Sequence, residues 1–243
     1  MISPLKLLRV IVADLKIAIL FYTRLPIPEP AAISGADFAR ASWAGPVAGA
    51  IVALIGALAF ALARAVGLPP LPAAALTLTA TVLATGGLHE DGLADTVDGF
   101  AGGTRERKLE IMRDSRIGTY GACGLMLSLL LRVCALASLA DPAQVAAALI
   151  AAHAGARAGL PAFMMIMPPA RSNGLSASAG RPPVDVCVMA GLLGVAALLF
   201  GLGPLHGLAA IVLLVIAMAG MMRLCARQIG GQTGDTLLSL IHI

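Results

Sequence analysis

Three aspartates stand at i, i+4 and i+7: Asp91, Asp95 and Asp98. On a helix this spacing puts three carboxylates on one face, one or two turns apart. Left bare, they would repel one another and raise each other's pKa. Clustered carboxylates are stable as anions when a cation sits among them, and oxygen ligands suit Mg²⁺ or Mn²⁺. No Cys/His set accompanies them, which argues against zinc. A little further on, Arg113 and Arg116 flank Asp114, and arginine grips phosphate oxygens in bidentate fashion. Acids that can hold a metal, set beside arginines, are the equipment of phosphoryl transfer. The plainer alternative is a solvated segment with surface ion pairs. That reading is preferred for Glu106, Arg107, Lys108 and Glu110, with Glu106 and Glu110 facing Arg113. The functional one is preferred for Asp91, Asp95, Asp98 and Asp114.

The surroundings make this gathering unusual. Residues 86–121 hold seven of the thirteen acidic and five of the seventeen basic residues, in a chain 59% hydrophobic and 12% charged. Mean hydropathy is +0.92, whereas soluble domains carry about 25% charged residues. The chain therefore reads as a polytopic membrane protein. Its apolar runs are helix-length rather than alternating strands, so the expected fold is an all-α transmembrane bundle and not a barrel. Acids at a membrane edge default to function. Gly86, Gly87, Gly92, Gly99, Gly102 and Gly103 are expected to let backbone approach a bulky ligand closely. The four cysteines show no CxxC spacing and read as small core residues.

The positioning elements are expected to be about six spans plus an N-terminal helix, in one integral membrane domain. Lys6, Arg9 and Lys16 punctuate the first helix, 5–25, which reads as amphipathic or steeply tilted. Spans follow at 45–66, 71–88, 117–139, 143–166, 185–203 and 207–224, and Trp43 reads as an interfacial anchor. Every loop rich in Lys or Arg falls on one side, and the turns 67–70, 140–142 and 204–206 carry neither. That alternation places the polar loops in the cytoplasm. Within the spans, Arg132 and the i, i+4 pair His153 and Arg157 are expected to face the bundle interior, either pairing internally or binding a substrate.

At this level of detail the sequence is recognisable. His89-Glu90-Asp91-Gly92-Leu93-Ala94-Asp95-Thr96-Val97-Asp98-Gly99, followed by Asp114-Ser115-Arg116-Ile117-Gly118-Thr119-Tyr120-Gly121, closely resembles the cobalamin synthase family, the adenosylcobinamide-GDP ribazoletransferases. Phe21-Tyr22-Thr23-Arg24-Leu25-Pro26 looks like the family's N-terminal motif, and Gly230-Gly231-Gln232-Thr233-Gly234-Asp235 like its C-terminal one. Glu90 departs from the apolar residue common at that position. The resemblance implies transfer of the cobinamide phosphate moiety of adenosylcobinamide-GDP to α-ribazole or its 5′-phosphate, with release of GMP, Mg²⁺ as cofactor and a bacterial inner-membrane location. It implies Asp91, Asp95, Asp98 and Asp114 as metal ligands, one of them open to serving as base. It also implies Arg24, His89, Arg113, Ser115, Arg116, Gly231, Thr233 and Asp235 as substrate-binding positions. The lipid bilayer is the expected partner, nucleic acid is not, and self-association into a homo-oligomer is left open.

Two other classes fit the sequence less well. A CDP-alcohol phosphotransferase would follow its first Asp-Gly with alanine and arginine, but here Asp95 follows Ala94. A cation-coupled transporter would show internal repeats and charges at the bilayer midplane, whereas these acids cluster beside arginines. Finally, residues 238–243, LSLIHI, are what a transposon mosaic end used in sequencing libraries encodes in one frame. They are expected to be an adapter scar on a truncated gene, with at least one helix missing; resequencing the locus tests this.

Overall fold

The computed structural model describes residues 3–28 and 32–242; Ile243, the end of the suspected scar, lies outside them. The described residues form helices and no strand. In chain order these are α1 (Pro4–Tyr22), α2 (Gly35–Ala41), α3 (Gly45–Ala65), α4 (Pro70–Thr85), α5 (Leu88–Phe100), α6 (Arg105–Ile111) and α7 (Thr119–Leu139). They continue with α8 (Pro142–Ala158), α9 (Leu160–Ile166), α10 (Leu175–Ser178), α11 (Val184–Gln228) and α12 (Gly234–Ser239).

The result is an all-α membrane bundle. Four helical stretches are long and apolar enough to cross a membrane, and α4 with α5 makes a fifth if that bent pair is one pass. The 45 residues of α11 would measure about 68 Å at 1.5 Å per residue, roughly twice the hydrocarbon thickness. They do not run straight. Gly203 leaves the helical region at φ 76°, ψ 167°, with Pro204 next to it. A methyl group at Gly207 would sit 2.7 Å from the Leu198 carbonyl oxygen. The chain therefore doubles back, and α11 is a hairpin of two arms, 184–202 and 204–228.

Small residues let the helices close up, as membrane bundles require. At Gly49 of α3, a methyl would fall 2.3 Å from the His153 carbonyl oxygen of α8. At Gly194 of α11 it would fall 2.3 Å from Ala158 Cβ. One apolar cluster, including Phe60, Leu68, Ala73, Leu139 and Val145, packs the end that carries the short turns. The other end gathers the polar segments. There Arg24 N–H donates to the Ala84 carbonyl (2.7 Å), Ala170 N–H to Gln232 (2.7 Å) and Gln232 N–H to Pro168 (2.9 Å).

The helical spacing of the acids is borne out, and the part played by Trp43 becomes more specific. The stretch after the second span is helical: α4 stops at Thr85, Gly86 and Gly87 adopt φ 67° and 71°, and α5 leaves at 91° to α4. With α4 across the membrane, α5 lies along the polar face, outside the spanning segments. Trp43, expected as an interfacial anchor, is partly buried against the bundle. Its Nε1 donates to buried Asp14 at 2.9 Å, beside Arg40 Nε at 2.9 Å, and so it ties α1 to the bundle. The first turns of α1 are exposed, and its 19 residues include Lys6, Arg9, Asp14 and Lys16, so it is not among the helices both long and apolar enough to cross a membrane.

Candidate active site on the polar end of the bundle

The site is built around α5. Asp91, Asp95 and Asp98 share its length, and the element opposite them is α12. A methyl at Gly92 would meet Leu238 Cβ at 2.6 Å and the Asp235 carbonyl oxygen at 3.1 Å. Glycine at position 92 therefore lets α12 lie against α5. Several motif glycines thus serve packing between helices rather than approach to a ligand: Gly99 is likewise filled by Met112 at 2.5 Å.

Asp235 arrives by a chain of short constraints. Gly231 has no room for a side chain against the Pro168 carbonyl, and the Pro168–Gln232 and Gln232–Ala170 bonds pin the segment. Thr233 then caps α12: its hydroxyl accepts from Thr236 N–H at 3.2 Å, and Thr236 Oγ1 accepts from Thr233 N–H at 2.9 Å. This is a capping box, so Thr233, 1% exposed, positions the acid rather than facing solvent.

The acids have sharply different surroundings. Asp95 is half-buried, and its carboxyl is pushed up to about 7, first by burial and then by the like charges of Asp91, Asp235, Asp98 and Asp114. Asp235 is pushed up as well, by burial, with Arg171 opposing; its Oδ2 lies 3.8 Å from Arg171 Nη2 and has no hydrogen-bond partner. Asp98 is engaged: its oxygens accept from Gly118 N–H (2.7 Å) and Gly121 N–H (2.8 Å) at the start of α7. There a carboxylate suits the orphan amides and the positive end of the helix dipole. Asp114 is gripped by Arg116 Nη2 at 2.7 Å, and those hydrogen bonds hold it at about 2.

The basic positions divide in the same way. Arg24 is exposed, packs its side chain over Gly86 at the α4–α5 bend, and forms no ion pair among the described residues. Arg113 donates to Asn173 at 2.6 Å, not to Glu106 or Glu110. Glu110 pairs with Arg107 instead (2.8 Å). Ser115 is exposed between α6 and α7. His89 turns inward: it is buried, stacks on Tyr22 at 6.1 Å, and its Nε2 lies 3.4 Å from Arg157 Nη2. Arg171 and Asn173 were not singled out as site residues. Their signal was a basic, polar loop on the same side as the acids.

A resident divalent cation is compatible with this set in donor type and charge. Carboxylates converge on Asp95, and a buried Asp235 oxygen lacks a partner. Among the described residues no three Asp, Glu, His or Cys side chains are spaced to hold one ion. Magnesium commonly takes only one or two carboxylates, the rest being phosphate and water.

Residues 14–241 match the family described as cobalamin-5-phosphate synthase. An adenosylcobinamide-GDP ribazoletransferase of Bradyrhizobium diazoefficiens is 54% identical, over 98% of this chain and 92% of its own length. That of Mesorhizobium japonicum is 53% identical (97% and 90%), and that of Azorhizobium caulinodans 49% (93% and 89%). No solved structure gives a significant match.

Proposed function

The chain belongs to the cobalamin-5-phosphate synthase family, and from that membership we propose that it is an adenosylcobinamide-GDP ribazoletransferase, joining α-ribazole or its 5′-phosphate to the cobinamide phosphate moiety of adenosylcobinamide-GDP. A ribazole hydroxyl oxygen forms the new bond to the cobinamide-side phosphorus. The bond from that phosphorus to the bridging oxygen breaks, GMP leaves with the electron pair, and the hydroxyl proton passes to a carboxylate. The observation that carries this reading is the packing of α12 on α5 at Gly92, which brings the segment carrying Asp235 to the helix that bears Asp91 and Asp95.

One or two of Asp91, Asp95 and Asp235 would hold Mg²⁺, the remaining ligands coming from phosphate and water; the ion would supply charge to offset that developing on the diphosphate. The acid that takes the hydroxyl proton comes from the same wall. Arg24, exposed and without an ion pair among the described residues, meets the diphosphate, while Arg113 and Arg116 join by exchanging their present partners. Ser115 stays exposed between α6 and α7, and Gly231, buried against Pro168, holds the segment that carries Asp235. Asp98 and Thr233 position α7 and α12. The polar end faces the cytoplasm of a bacterial inner membrane, with six passes counting both arms of α11; the arginines at that end support this orientation.

The test is GMP release from adenosylcobinamide-GDP by membranes bearing the protein. Product should require α-ribazole or its phosphate and Mg²⁺, and Asp95→Asn should abolish it at unchanged protein level. Retained turnover in that variant, or none in the parent, sinks the reading.

A further inference from the structure

Behind α5 lies a second polar region, inside the bundle. A cavity of about 140 Å³ is lined by His89, Glu90, Arg132, His153 and Arg157, with Thr81 and Thr85 of α4 beside them. Arg157 is 1% exposed and forms no ion pair among the described residues. Its Nη1 donates to the His153 carbonyl oxygen at 3.0 Å, its guanidinium stands 5.4 Å over the Tyr22 ring, and its Nε has no partner. Arg132 reaches Glu90 Oε1 at 3.3 Å, and Glu90 Oε2 is buried without a partner. Two guanidiniums thus face one carboxylate. Arginine stays charged in any protein interior, and a buried charge without a counter-ion is among the costliest things a bundle can hold. Such a region is stable when an anion completes it. Ile241 and His242 close one wall, with His242 Nδ1 3.3 Å from Arg132 Nη1 and its Nε2 4.0 Å from Glu90 Oε1; neither residue is assigned to the anion.

Given the reaction proposed above, on which this rests, we propose that the cavity binds the 5′-phosphate of the acceptor nucleotide on Arg157 and Arg132, with Glu90 Oε2 accepting from a sugar hydroxyl of the same molecule. The two faces of α5 then divide the substrates. The outward acids meet the diphosphate donor, and the inward groups hold the acceptor by a phosphate that does not react.

The experiment measures binding to the full chain in detergent, by ligand-dependent thermal unfolding, for α-ribazole 5′-phosphate, α-ribazole and inorganic phosphate. The parent should bind the phosphorylated acceptor at least tenfold more tightly than α-ribazole, and inorganic phosphate should compete. Arg132→Gln and Arg157→Gln should remove that preference while leaving α-ribazole affinity within about twofold; Arg132→Gln alone suffices if Arg157→Gln does not fold. Asp95→Asn should keep it. Equal affinities in the parent, a preference that survives Arg132→Gln, or one lost in Asp95→Asn would each overturn the assignment. So would competition by phosphatidic acid in mixed micelles, which would give the cavity to lipid. Because binding is read without turnover, absence of GMP release would fault the reaction and leave this result standing.

Discussion

Asp95 and Asp114 are the same side chain in the same charged stretch, yet their carboxyls move in opposite directions, to about 7 and about 2. Asp95 is half-buried on α5 among other acids. Asp114 sits in the exposed segment after α6, bidentate with Arg116. One is a negative charge the fold holds against repulsion, and the other is already neutralised by its neighbour. Only the first creates a demand for a cation. Charge density in the sequence therefore overstates the exposed half of the stretch and understates the half that α12 covers.

The largest expected effect separates the two residues directly. Asp95→Asn should lower GMP release by about 10³-fold or more, the scale seen when a preorganised charged group is lost from a phosphate or oxyanion site. Asp114→Asn should cost about tenfold or less. Comparable losses, measured in the same membranes, would erase the distinction.

Next is pH. With its folded pKa raised above the unfolded value of 3.8 to about 7, Asp95 leaves the folded state holding more protons than the unfolded state between those values. Without divalent cation, stability should therefore fall as pH rises from about 4 to about 7, then level off. Asp95→Asn should flatten that slope in thermal unfolding. Mg²⁺ affinity should run the other way, weakening as pH drops through about 7, because protonation removes a ligand. Asp114, lowered from 3.8 to about 2, contributes to neither trend above a pH of about 5, where it is ionised in both folded and unfolded states. An Mg²⁺ affinity independent of pH between 6 and 8, by titration calorimetry, would contradict the role given to Asp95.

A smaller, structural effect is expected at Gly92. Alanine there forces α12 away from α5, and overpacking of this kind costs about 1–3 kcal/mol. Turnover should fall more than stability, since Asp235 moves with α12. The smallest effect belongs to Arg116→Gln. It should raise the Asp114 pKa toward the ordinary carboxylate range and leave the unfolding temperature unchanged, because the pair is exposed and such pairs contribute little.

Much of this was legible in the chain. The i, i+4, i+7 spacing of Asp91, Asp95 and Asp98 needed only helical periodicity, and α5 is helical across all three. The apolar run lengths announced the bundle. The break at Gly203-Pro204 marked the reversal that makes two arms of α11. Harder to see was that Asp98 would serve the amides of α7, that Trp43 would turn inward to Asp14, or that Arg113 would find Asn173. Each depends on a partner twenty or more residues away, brought close only by the packing of one helix or loop on another.

Composition and local spacing, on their own, determined the membrane class, the helical fold, the side that carries the charge and the motif residues. Hydrophobicity and periodicity act on neighbours in the chain, and so they can be read from it. Which acids remain free, which arginine is buried without a counter-charge, and that Asp235 comes to Asp95 were decided only in three dimensions. Burial and Coulomb interaction depend on distance through space, and the close approach at Gly92 sets that distance.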